Sequence, residues 1–168
     1  MRSDEKTSQW HEEEAWVKRL LRDQELLRER IGHKQVMSLG TFLTMLDRDG
    51  MADFLIIYGK AAREGIADSN DVDFYFEAAR IRDENDAQRH IQVDEEHEGA
   101  RFHAYGWPSG ALLHNLRAGD GFAFGLVRDA LIFVDRGPFR EALAAVDDES
   151  LALAPGESMD KPAPSAAS

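Results

Sequence analysis

The stretch FLIIYGKAAREGIADSNDVDF, residues 54–74, carries two different strand patterns on either side of a glycine-led turn. Phe54-Leu55-Ile56-Ile57-Tyr58 is a continuous apolar run that stops at Gly59. Such a run suits a strand buried on both faces. Residues 60–67 read as a turn or short helix. From Asp71 the pattern changes to strict alternation. Val72, Phe74 and Phe76 share one side, and Asp71, Asp73, Tyr75 and Glu77 share the other, which predicts a strand with one wet, acidic face.

Two carboxylates at i and i+2 on a strand point the same way, roughly 6–7 Å apart along the chain. With their charges about 5 Å apart they repel by roughly 3 kcal/mol at an effective dielectric of about 20. A cation relieves that repulsion. Magnesium prefers hard oxygen ligands and binds through one or two carboxylates plus substrate phosphates, so Asp71 and Asp73 form a candidate metal pair. Gly59 lets the backbone approach a phosphate closely. A helix beginning there aims free N–H groups at it, and Lys60 and Arg63 add positive charge. A phosphate cradle beside a metal pair is the equipment of phosphoryl or nucleotidyl transfer.

Outward from this stretch, residues 8–31 read as an amphipathic helix with Trp16, Leu20, Leu27 and Ile31 at helical spacing. Ser8 is its expected cap, Glu12, Glu13 and Glu14 suit its positive end, and Gly32 ends it. Trp10 and Trp16 read as helix packing. A second helix is expected at 35–47, with Met37, Phe42, Leu43 and Leu46 as its apolar set. Downstream, 78–90 reads as loop or broken helix. Short strands are expected at 90–94 and 101–107, joined by an acidic turn at 95–99. Helices are expected at 109–118 and 121–129, a last strand at 131–134 and a closing helix at 138–146. The organisation predicted is a helical extension over 1–50, an α/β (α+β) domain over 51–147 and a disordered acidic, then Pro-Ala-Ser tail over 148–168.

The residues of 54–74 resemble the signature of the polymerase-beta-type minimal nucleotidyltransferase (MNT) family: an apolar strand, G-S-x-A-R-G, a short spacer, then S-D-x-D. Gly59, Ala62, Arg63, Asp71 and Asp73 fall on matching positions without a gap. The stretch LRAGDGFAFGLVRDALIFVD, 116–135, is similar to the family's C-terminal part. The likeness covers about half the chain, 54–135. It implies a small mixed sheet with flanking helices, metal at Asp71 and Asp73, and nucleotide contacts from Gly59, Lys60, Arg63 and Asn70. It also implies Mg2+ or Mn2+ as cofactor and a nucleoside triphosphate, ATP foremost, as substrate. Three positions depart from the signature: Lys60 and Asn70 replace serines, and Glu64 replaces a glycine. The family's third carboxylate, counted back from Gly119-Asp120-Gly121-Phe122, falls near His103. Histidine accepts a proton or binds a metal but does not reproduce an aspartate. Glu77 and Asp94 are alternative third groups.

Composition sets the outer bounds. The chain has 168 residues, 43% of them hydrophobic, enough for one folded domain with extensions. It has no cysteine, so disulfides and Cys-based zinc sites are excluded, which is compatible with a reducing cytoplasm. No apolar stretch approaches the ~20 residues of a membrane span. The N-terminus lacks a secretory core, and a cytoplasmic protein is expected. The net charge of −12 disfavours broad nucleic-acid binding but leaves room for a metal-bound nucleotide. Two function classes follow. One is an enzyme that transfers a nucleoside monophosphate to a hydroxyl. The other is a catalytically degenerate binding module or antitoxin that neutralises a partner by direct binding. The resemblance suggests a helical HEPN-type toxin as that partner.

Overall fold

In the computed structural model, the structure describes residues 3–48, 51–66, 71–81, 95–97 and 100–146. Two helices come first, α1 (Ser3–Arg30) and α2 (His33–Asp47). Then follow β1 (Ala52–Tyr58), α3 (Gly59–Glu64) and β2 (Asp71–Ala78). The second half holds β3 (Glu95–His97), β4 (Ala100–Pro108), α4 (Ala111–Arg117), α5 (Gly121–Asp129), β5 (Leu131–Asp135) and α6 (Pro138–Ala144). The expected tail, the expected strand 90–94 and most of the segment 78–90 lie outside the described residues.

The strands form a mixed sheet in the order β3-β4-β2-β1-β5. Four strands make its body, and the three-residue β3 adds an edge. β1 lies between β2 and β5 and is antiparallel to both, whereas β2 and β4 run parallel. Glu95–His97 pair antiparallel with β4, so this acidic stretch is strand and not the turn the sequence suggested.

Both faces of the sheet are covered. One face, with Leu55, Ile57, Val72, Phe74 and Phe76, packs on Leu27 of α1 and Ile31 just after it, Leu39 and Leu46 of α2, and Ala61 and Ala62 of α3. Phe42 of α2 sets its ring edge-on to Phe74 at 5.0 Å. The other face, with Phe54, Ile56, Tyr58 and Tyr75, packs on Leu112, Leu126, Val127 and Phe139 from α4, α5 and α6. The N-terminal helices thus share the core of the sheet. The wet acidic face expected for β2 is confined to its first residues: Tyr75 and Glu77 are buried under the helices that follow β4.

α1 begins at Ser3, so Ser8 lies inside the helix and does not cap it. Its middle seals the outer edge of β5. The Ile132 amide donates to Asp23 at 3.0 Å, and Gln24 donates to the Ile132 and Phe133 carbonyls at 3.0 and 3.1 Å. This covers an edge strand that would otherwise be open to pairing. Asp23 is fully buried, and Arg19 and Arg22 donate to it, which offsets the cost of burying its charge. At the far end of α1, Arg30 donates to the Ala62 carbonyl and accepts from Ile66 at 3.0 Å, fixing the turn after α3. Trp16 packs against the core as expected. Trp10 and, on α2, Met37 are exposed instead.

Candidate active site

The last residue of β1 and the first residues of β2 and β4 meet at one end of the sheet. Register defines the arrangement: Tyr58 pairs with Asp73, Asp73 with His103, and Asp71 with Arg101. Paired residues on adjacent strands share a face. Tyr58, Asp71, Asp73 and His103 therefore project to the same side, that of α4 and α5. His103 Nε2 lies 3.8 Å from Asp71 Oδ1. The two carboxylates and the histidine singled out in the sequence are brought together.

Gly59 follows β1 directly, at φ +77, a conformation that costs a residue with a side chain. A Cβ built there comes within 3.3 Å of Asp73 Oδ2. Asp73 thus sits against the backbone of the turn, and both the positive φ and this close approach favour glycine.

Lys60 projects from α3, half-exposed, with Nζ 4.0 Å from Glu64. Arg63 is held elsewhere: its guanidinium donates to Asp129 of α5 at 2.9 Å. That pair joins α3 to α5 and gives Arg63 a structural partner in addition to any phosphate. Asn70 and Asp94 lie outside the described residues.

Glu77 is excluded as a third metal ligand. It lies about 13 Å along β2 from Asp73. Its carboxylate accepts from the Tyr75 hydroxyl and from the Gly110 and Leu112 amides, each at 2.8 Å. Glu77 thereby caps α4, whose own N-cap residue, Gly110, has no side chain to do so. Burial pushes its pKa up to about 7 against the pull of those three donors.

Two residues of the site were not singled out in the sequence. Tyr58 lies beneath Asp73, packed edge-on against Phe122 at 6.0 Å. Burial pushes its phenol well above the ordinary value, and Asp73 and Tyr105 push it further, so it stays protonated. The signal was present in the apolar run: Tyr58 closes β1 immediately before the glycine. Asp129, the partner of Arg63, had no such signal.

Among the described residues, no three His, Asp or Glu side chains converge as a closed metal site. The donor set is the pair Asp71 and Asp73, with Asp71 half-exposed. Two carboxylates at an open strand end suit a magnesium ion held jointly with substrate phosphates. Comparison of the chain with protein-family models, with curated proteins and with solved structures gives no match. Among the described residues no helix is long and apolar enough to cross a membrane.

Proposed function

We propose that this chain is a nucleotidyltransferase-like protein that binds a magnesium-bound nucleoside triphosphate and transfers the nucleoside monophosphate to a hydroxyl. The observation that carries the reading is the meeting of Gly59, Asp71, Asp73 and His103 at one end of the sheet. The mixed sheet with helices on both faces is compatible with a nucleotidyltransferase fold.

In this reading Asp71 and Asp73 hold the cation, and Mn2+ is the alternative ion. When bound, the metal neutralises phosphate charge and favours departure of pyrophosphate. Gly59 gives the phosphates close access to the backbone, and Lys60, on the exposed face of α3, supplies a mobile positive charge. His103 takes the place of a third carboxylate and accepts the proton of the incoming hydroxyl. ATP is the nucleotide this reading favours, and a protein side chain, such as one on a HEPN-type toxin, is its acceptor. The lack of cysteine fits a cytoplasmic setting.

One observation favours a second reading, a degenerate binding module or antitoxin that acts by direct binding. No third carboxylate accompanies Asp71 and Asp73 among the described residues, and Glu77 is committed to capping α4. Incubation with magnesium and each labelled triphosphate, with and without the product of a neighbouring gene, separates the two. Transfer of label to protein or to a small hydroxyl compound supports the enzyme. Magnesium-dependent binding without transfer supports the module.

A further inference from the structure

Tyr58, the last residue of β1, is 5% exposed, with its ring packed edge-on against Phe122. Its hydroxyl has no hydrogen-bond partner among the described residues. The contrast with Tyr75 on the neighbouring strand is direct, since that phenol donates to Glu77 at 2.8 Å. A buried phenol as a rule finds a partner, and one left without it is costly. Tyr58 pairs in register with Asp73, so its unpartnered donor lies beside the metal pair. A donor kept there suits an acceptor that arrives with a ligand.

The surroundings of the hydroxyl define that acceptor. The groups that act on it electrostatically are Asp73 and Tyr105, neither of them a cation. Positive charge lies on the other side. α3, which carries Lys60, packs on the opposite face of the sheet through Ala61 and Ala62. Phosphates drawn toward Gly59 and Lys60 therefore leave the metal pair on the side away from the Tyr58 ring. The sugar and base are left the side of α4 and α5. There Tyr105 follows His103 by two residues on the same face of β4, half-buried and in register with Tyr75. One neutral donor among aromatic rings is the equipment for an uncharged nucleoside and not for phosphate.

We propose that Tyr58 and Tyr105 form the nucleoside subsite of this centre: the Tyr58 hydroxyl donates to a ribose oxygen, and the Tyr105 ring stacks on the base. The subsite rests on the nucleotide reading given above and adds to it the residues that hold the sugar and base. Stacking on one ring accepts any base, whereas the hydroxyl separates a nucleotide from a bare polyphosphate.

Titration calorimetry of the full chain in magnesium, with ATP and with inorganic tripolyphosphate, tests this. Tripolyphosphate presents the phosphates alone. The wild type is expected to bind ATP at least about tenfold more tightly. Tyr58→Phe is expected to weaken ATP binding about five- to tenfold and to leave tripolyphosphate binding unchanged. Its unfolding midpoint is expected to stay the same or rise, because the hydroxyl holds no bond within the fold. Tyr105→Ala is expected to weaken ATP binding about tenfold, and Tyr105→Phe to retain it. Equal affinity of the wild type for the two ligands overturns the subsite and leaves the metal pair standing. So does a Tyr58→Phe variant that loses both ligands alike, or neither. A wild type that binds neither ligand overturns the nucleotide reading itself, and the subsite with it.

Discussion

The imidazole of His103 stands 3.8 Å from the Asp71 carboxylate, across two parallel strands whose register pairs His103 with Asp73. The imidazole is thereby set at the strand end that carries both carboxylates, and in the proposed reaction it accepts the proton of the incoming hydroxyl. His103→Ala is expected to slow nucleotidyl transfer by about 100-fold or more, while triphosphate affinity changes little. Single-turnover rates set against calorimetric affinities check this split. An equal loss in both assigns His103 to binding instead.

Gly59 is the hinge between the buried β1 and the acidic pair. Gly59→Ala is expected to cost about 1–2 kcal/mol, because its φ of +77 disfavours a side chain. It also presses a methyl group toward the Asp73 carboxylate, 3.3 Å away. Denaturant unfolding and magnesium-dependent nucleotide binding are both expected to weaken. Weakened stability with unaltered binding separates the strain from the contact with Asp73.

The ion pair of Arg63 and Asp129, at 2.9 Å, ties α3 to α5. Arg63→Ala and Asp129→Ala are each expected to destabilise the fold. Their combination falls short of additivity by about 1 kcal/mol. Arg128 also donates to Asp129, so the Asp129 variant is expected to lose more than the Arg63 variant. A double-mutant cycle by urea unfolding measures the coupling, and additive losses contradict it.

Glu77 gives the stability of the fold a particular pH dependence. Burial raises its carboxyl from an ordinary 4.5 to about 7. Between those values the folded state holds a proton that the unfolded chain releases, so rising pH favours unfolding. The contribution is complete below about 4.5, declines by a few kcal/mol as pH rises to about 7, and is level above that. Glu77→Gln keeps an acceptor for the α4 amides but cannot titrate. The difference in unfolding free energy between wild type and variant is expected to change across this window and nowhere else. Parallel curves contradict the assignment.

The strands either side of Gly59 were legible because their patterns are local: a doubly buried run and a two-residue alternation. His103 was legible at one remove, since the turn at Gly119 fixes where the preceding strand lies. The burial of Tyr75 and Glu77 was not, because it depends on helices α4 to α6 folding back over the sheet. For the same reason a carboxylate that read as solvated became the cap of a distant helix. The partner of Arg63 lies 66 residues away and leaves no periodic trace. The start of α1 was misplaced at Ser8 because Asp4 and Glu5 suit the positive end of a helix as well as Glu12, Glu13 and Glu14 do, so the sequence offers two starts.

The central claim is that Asp71 and Asp73 together hold a metal-bound triphosphate. Titration calorimetry of the full chain with ATP, with and without magnesium, tests it against the Asp71→Asn, Asp73→Asn double variant. The expected result is magnesium-dependent binding by the wild type and none detectable in the variant, with the unfolding transition preserved. Equal affinity in the two proteins, or binding indifferent to magnesium, contradicts the account.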